Sequence, residues 1–390
     1  MQKKKSFWRL FILLLFAVSV VTCVRFFKEE VGNFLGKILS PSTPREAFLK
    51  KAKRNDWVSQ NTLETWDSLY QSAKQDTLQI ELPYREILAL NNTLQEGVQA
   101  WRFKLPAGRR VFIRATNSSE KIFGDLYEIS VDNINEKPSN QPISSLDTLI
   151  NQLNIESGDV RTSNLLLLIQ AMPESAVSYD LQIITQPVID FPVAGKTAKS
   201  ILSFWGDPRD GGRRKHEGND IFAPRRTPLL AVVDGRISST RGSNLGGKTI
   251  WLRDGEGRDL SYYYAHLDSQ LVSVGDVVQR GDTIGLVGNT GNARFTPPHL
   301  HFGIYQSGAI DPFNFLNDPD RMPRSPQVAI EEKLKKVPQR GRHYLRTSPE
   351  RAENIIRQLI ADEEVTLLGS TARFYRVRTQ NGELGYVNFD

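Results

Sequence analysis

From Thr77 onward the apolar side chains of this chain recur at every second position. Leu78, Ile80 and Leu82 alternate with polar neighbours, as do Trp101, Phe103 and Leu105. Val111, Ile113 and Ala115 follow a Pro106-Ala107-Gly108 turn, and Tyr179, Leu181 and Ile183 repeat the pattern later. A period of two belongs to a strand with one buried face. Short strands of this kind separated by turns predict a β-sandwich over residues 77–190, closed by the segment Pro187 to Pro192. The chain is therefore predicted to be mainly β.

Ahead of that stretch the spacing is helical. Thr43-Pro44-Arg45-Glu46 has the form of a capping box with Pro at the first helical position, predicting a helix to about Lys53. Asn61-Thr62-Leu63-Glu64 offers a cap for a second helix. Its Leu63, Trp66, Leu69, Tyr70 and Ala73 form one apolar stripe. Residues 28–76 thus read as a linker and a helical pair that packs on a neighbour and carries no chemistry.

The first 27 residues read as a membrane-targeting segment. Lys3, Lys4, Lys5 and Arg9 precede the charge-free run Leu10 to Val24, which Arg25 closes. Positive charge before the run predicts an inside N-terminus and an exported body, in the periplasm or at the cell surface. An uncleaved anchor, a cleaved signal peptide and a lipidated Cys23 all stay open. The formal charge of +6 is modest, and four of its positive residues, Lys3, Lys4, Lys5 and Arg9, sit ahead of the apolar run. No nucleic-acid partner is expected. Cys23 is the only cysteine, so no internal disulfide forms and any zinc site must use histidine and carboxylate.

Residues 191–318 hold most of the histidines. Residues 319–342 form a basic, Pro-containing connector read as solvated. Residues 343–390 carry short strands and a Gly382/Gly385 turn. This last segment is small for a free-standing core and is expected to lean on its neighbour.

Of five histidines, His216, His266, His299 and His301 fall within 86 residues of one β-rich segment, and only His343 lies elsewhere. Alternation in His299-Leu300-His301 puts both imidazoles on one strand face and sends Leu300 and Phe302 to the core. The same parity through Tyr262, Tyr264 and His266 predicts a third imidazole on one face. His216-Glu217-Gly218-Asn219-Asp220 adds a histidine and a carboxylate. Two His and one carboxylate with an open fourth position is a common way to hold a catalytic zinc. Gly218-Asn219 disfavours a helix, so the helical H-E-x-x-H geometry does not apply and Glu217 receives no catalytic role. Gly285, Gly288 and Gly291 lack the Lys-Ser/Thr of a phosphate loop.

HEGND, AVVDGRI, YYYAHLDSQLVSVGDVVQRGDTIGLVGNTGN and PPHLHFGIY resemble the lysostaphin-type zinc endopeptidases, which cut peptide bonds in bacterial peptidoglycan. The resemblance covers residues 204–305. It implies an antiparallel-sheet fold with the site in a groove. It also implies one Zn2+ held by His216, Asp220 and His301, with His266 and His299 as unligated catalytic histidines. Arg226 stands where that family commonly has Gly, and Gly303 where it often has Glu. WRFKLPAGRRVFIRA with SYDLQIITQP resembles the jelly-roll domains of secreted bacterial peptidases. The last segment resembles small bacterial barrels of Src-homology type. The implied activity is hydrolysis of peptidoglycan peptides. The alternatives are a catalytically silent wall-binding protein that activates another hydrolase, and a purely structural zinc site that leaves the two extra histidines without a purpose.

Overall fold

Thr43 and Glu46 close the capping box that the sequence predicts. Thr43 N–H donates to Glu46 Oε2 at 3.3 Å and Glu46 N–H to Thr43 Oγ1 at 3.2 Å, opening helix α1 (Pro44–Asn55). The computed structural model describes residues 42–90, 93–94, 96–117, 122–130, 133–146, 152–155, 162–326, 333–349 and 354–389. The targeting segment 1–27 and the start of the linker lie outside them. Among the described residues no helix is long and apolar enough to cross a membrane. The chain divides into two compact units, Met1–Lys51 and Ala52–Asp390, and the second holds every sheet of the described residues.

Helix α2 (Gln60–Ala73) starts earlier than expected. Ser59, rather than Asn61, is its N-cap, accepting from Thr62 N–H at 3.1 Å. Its stripe buries Leu63, Trp66 and Tyr70. Trp66 Nε1 donates to Ala171 O at 2.9 Å, and Tyr70 packs with Val98, Ala100, Tyr127, Leu166 and Leu168.

Strands β1 (Tyr84–Leu90), β2 (Val98–Leu105), β3 (Arg109–Asn117), β4 (Ile122–Ile129), β5 (Ser144–Leu146), β6 (Gln152–Ile155), β7 (Ser163–Ala171) and β8 (Val177–Pro187) make two antiparallel sheets. One runs β2-β7-β4-β5 and the other β1-β8-β3-β6. The first sheet is covered on one side by the second sheet and on the other by α2. Strand β7, SNLLLLIQA, is consequently buried at every position and shows no alternation in sequence.

The peptidase-like segment is a seven-strand path: β9 (Ile201–Ser203), β10 (Asn219–Phe222), β11 (Gly235–Ser239), β12 (Gly247–Asp254), β13 (Ser261–Leu267), β14 (Val277–Val278) and β15 (His299–Tyr305). Their order is β14-β11-β12-β13-β15-β10-β9. Ile221, Ile250, Tyr262, Tyr264, Leu300 and Phe302 fill the core side. The seam with the sandwich is polar. Arg109 meets Asp320 at 3.0 Å, and Asp320 Oδ2 accepts from Thr185 N–H at 2.7 Å. Gly108, in the predicted turn, has φ +76°, and a side chain there would run into the Phe315 ring.

The C-terminal strands are β16 (Leu334–Lys336), β17 (Tyr344–Arg346), β18 (Ile355–Gln358), β19 (Glu364–Ser370), β20 (Tyr375–Thr379) and β21 (Leu384–Val387). They pair β18-β17-β21-β20-β19, with β16 on β19, and β19 continues onto β1 through Ile87↔Ser370 and Leu88↔Gly369. Among the described residues no pairing closes this run into a barrel. The expected leaning on a neighbour is thus a shared sheet. Leu368, Phe374 and Tyr386 also join the core built by Trp101, Phe103 and Leu181. At its centre Arg376 Nε donates to Glu86 Oε1 at 3.1 Å with both side chains fully buried. Glu86 Oε2 accepts from Trp101 Nε1 and Tyr84 OH, each at 2.8 Å. Buried charges persist only when partnered in this way.

Candidate active site

Strand register brings the first group together. Asp220 of β10 lies opposite His301 of β15, and Phe222 opposite His299. His216 reaches the same place from the loop before β10. Its N–H donates to Asp207 O at 2.8 Å and its carbonyl accepts from Gly206 N–H at 2.9 Å. Gly218 lets that loop pass: a Cβ there would stand 2.5 Å from Phe302 O and 2.8 Å from the His301 ring.

Three atoms converge. His216 Nε2 is 3.0 Å from Asp220 Oδ1 and 2.9 Å from His301 Nδ1, and His301 Nδ1 is 3.0 Å from Asp220 Oδ1. His216 Nδ1–H donates to Phe204 O at 2.8 Å, which fixes the tautomer and turns the Nε2 lone pair inward. Burial works to raise the Asp220 pKa, but the adjoining His216 and His301 outweigh it and hold the carboxyl well below its ordinary range. Burial pulls the His301 pKa down. An ionised carboxylate and imidazole lone pairs crowded within 3 Å repel one another unless a cation sits among them. The three side chains could hold a metal ion, and a nitrogen–oxygen donor set without thiolate suits zinc.

His266 and His299 stand beside this triangle, with ring centroids 5.1 Å apart and His266 5.9 Å from His301. His266 Nδ1–H donates to Thr290 O at 2.9 Å and His299 Nδ1–H to Pro297 O at 2.8 Å, leaving each Nε2 free. Burial first, then His299 and His301, push the His266 pKa down to about 4, so the ring is neutral at pH 7.

The parity expected through Tyr262, Tyr264 and His266 fails. Tyr262 and Tyr264 are fully buried core residues, and Tyr264 OH donates to Leu230 O at 3.0 Å. The pairing of β12 with β13 shifts register between Lys248 and Ile250, so Ala265 and His266 together face Thr249. His266 sits at φ +65°, in the left-handed region. This bulge breaks the alternation and turns His266 to the face opposite Tyr264, a known use of bulges beside active sites.

All five residues line one groove of about 490 Å³. It also contains residues that sequence reasoning passed over. Trp251, Tyr263 and Tyr305 form an aromatic wall, with ring centroids 4.6 Å (Trp251–Tyr263) and 5.0 Å (Trp251–Tyr305) apart. Alternation from His299 and His301 through Gly303 to Tyr305 was the available signal. A Cβ at Gly303 would lie 2.8 Å from the Tyr305 ring, so the departure from Glu makes room for that tyrosine. Arg226 has φ +67°, the conformation that favours the usual Gly. Arg209 enters the groove as well and bonds Asp220 Oδ2 at 3.1 Å. Glu217 lines the rim, and Asp220 lies on a strand, not a helix.

Comparison with known proteins places these residues in context. Residues 214–312 match peptidase family M23, and residues 341–388 match the bacterial SH3 domain. An L-Ala–D-Glu endopeptidase of Bacillus subtilis is 36% identical over 133 residues, 32% of this chain and 40% of that protein. A peptidoglycan DD-endopeptidase of Vibrio cholerae is 35% identical over 101 residues, 26% of this chain and 22% of that protein. The solved catalytic domain of lysostaphin from Staphylococcus simulans is 35% identical, with 30% of this chain and 94% of that one covered and a TM-score of 0.28. The chain spans two fifths or less of the length of these two curated relatives.

Proposed function

We propose that the chain is a zinc-dependent endopeptidase of peptidoglycan cross-links, since its residues 214–312 match peptidase family M23 and its residues 341–388 the bacterial SH3 domain. One observation carries the reading. A three-atom metal triangle and two further imidazoles with free Nε2 atoms share one open groove. A structural zinc site would leave those two imidazoles without a task.

His216 Nε2, Asp220 Oδ1 and His301 Nδ1 would hold the ion. Zinc so held supplies Lewis acidity toward the scissile carbonyl and toward water. His266 and His299 share the proton transfers: a free Nε2 takes a proton from the attacking water, and the imidazolium so formed gives that proton to the leaving amine, directly or through the other ring. Both rings are held by backbone carbonyls in the tautomer that leaves Nε2 available. The aromatic wall of Trp251, Tyr263 and Tyr305 borders the substrate path and narrows it on one side.

The substrate rests on the relatives, one named a peptidoglycan DD-endopeptidase and the other an L-Ala–D-Glu endopeptidase. The location outside the cytoplasm, with attachment through the N-terminal segment, rests on the basic start and the apolar run Leu10 to Val24. The test is to incubate the purified full chain with isolated peptidoglycan and identify the released fragments by mass. New amino termini within stem or bridge peptides are expected, and they vanish with a chelator. Bound zinc without any released fragment would point instead to a silent wall-binding protein.

A further inference from the structure

We propose that Arg209 is a positioning residue of the metal site, pinning the outer oxygen of Asp220 so that only Oδ1 faces the two imidazoles. The two carboxylate oxygens are used differently. Oδ1 lies 3.0 Å from both His216 Nε2 and His301 Nδ1, whereas Oδ2 accepts from Arg209 Nη2 at 3.1 Å. The pair is partly shielded, with the two side chains 29% and 13% exposed, so solvent does not cancel it.

Arg209 is itself held. Its Nη2 also donates to Ser203 Oγ at 2.5 Å, and Ser203 lies beside Asp220 in the β9–β10 pairing. Ser203 Oγ–H donates to Asp207 Oδ2 at 3.0 Å, and the same oxygen accepts from Phe204 N–H at 2.8 Å. The Phe204 carbonyl in turn accepts from His216 Nδ1–H at 2.8 Å. One hydrogen-bonded path therefore joins the outer atom of Asp220 to the outer nitrogen of His216. One nitrogen, Nη2, serves Ser203 and Asp220 together with its two N–H groups held in the guanidinium plane, a fixed geometry that the freely rotating ammonium of a lysine matches poorly. With Arg209 removed, the Asp220 carboxylate is free to rotate about its last bond and the path is cut next to Asp220.

This inference rests on the zinc reading. The test measures zinc affinity of the full chain by competition with a chromophoric chelator. Arg209→Ala is expected to bind zinc about 10- to 100-fold more weakly than the natural chain, the usual effect of losing an outer partner of a ligand. Added guanidinium ion should restore most of that loss, a rescue that general loosening of the fold would not show. Binding within about twofold of the natural chain, or a loss that guanidinium leaves unchanged, overturns the proposal. Should Arg209→Ala fail to fold, Arg209→Lys replaces it, expected about fivefold weaker or more, with unchanged affinity as the contrary result. Failure of the natural chain to bind zinc at all would sink the zinc reading instead, before any variant is compared.

Discussion

Asp220 and His301 face each other across two antiparallel strands, with Oδ1 and Nδ1 3.0 Å apart. Their approach is therefore set by sheet register rather than by loop packing. Sites carried on strands hold their geometry more tightly than sites carried on loops. His216, the third member, comes from a loop, but Asp207 and Gly206 fasten its backbone and Phe204 its ring.

His301→Ala removes one corner of the triangle. Zinc content, measured by atomic emission on the dialysed protein, should fall with peptidoglycan hydrolysis, both to background. A chelator should do the same to the natural chain, and added zinc should restore it. Retention of one zinc per chain in the variant would move the third ligand elsewhere.

His266→Ala should separate the two functions. Its Nε2 is free and its ring is outside the triangle, so zinc stays while turnover drops by about 10²- to 10⁴-fold, the range for a lost general acid–base group. Turnover on isolated peptidoglycan, with metal content measured on the same sample, decides it.

His266 also predicts a dependence of stability on pH. Its folded pKa of about 4 lies below the ordinary 6.5, so the folded state prefers the neutral ring. That preference is fully present above pH 6.5 and is lost as pH falls toward 4, amounting to about 3 kcal/mol across the window. Between pH 7 and 4 the denaturation midpoint of the metal-free natural chain should fall more steeply than that of His266→Asn. Parallel profiles would remove the effect.

Arg376→Met should loosen the sandwich as well as the C-terminal strands. It leaves Glu86 as a fully buried carboxylate without its cation, a change that costs about 3–5 kcal/mol. Denaturation followed by tryptophan fluorescence, to which the neighbouring Trp101 contributes, should shift to lower denaturant. The double variant Arg376→Met with Glu86→Leu should recover part of the loss, because no buried charge is then left alone. An unchanged midpoint in the single variant would mean that the shared sheet does not depend on this pair.

The strands β3 and β8 were legible because one face of each is core and the other is polar at most positions, and β2 because Arg102 and Lys104 break its second face beside Trp101, Phe103 and Leu105. Strand β7 was not, since α2 covers its second face and erases the alternation. The second helix began at Ser59 because a serine hydroxyl reached Thr62 N–H ahead of the asparagine that looked like the cap.

The five candidate residues could be singled out in the sequence by type and spacing, His-x-x-x-Asp, a lone His after a Tyr run and His-x-His on a strand, while their separate roles came from the family resemblance. What brings His266 to the others could not be read there. Alternation predicts it beside Tyr264, and a bulge with φ +65° places it on the opposite face, because pairing between β12 and β13 slips where neither strand's composition signals it. Arg209 was equally hidden, since an arginine in a polar loop carries no pattern until Asp220 Oδ2 is seen 3.1 Å away. Residue identity thus determined the chemistry available to this protein, through local spacing and donor type. Register, bulge and burial, which depend on contacts between segments distant in sequence, decided which atoms could carry it out.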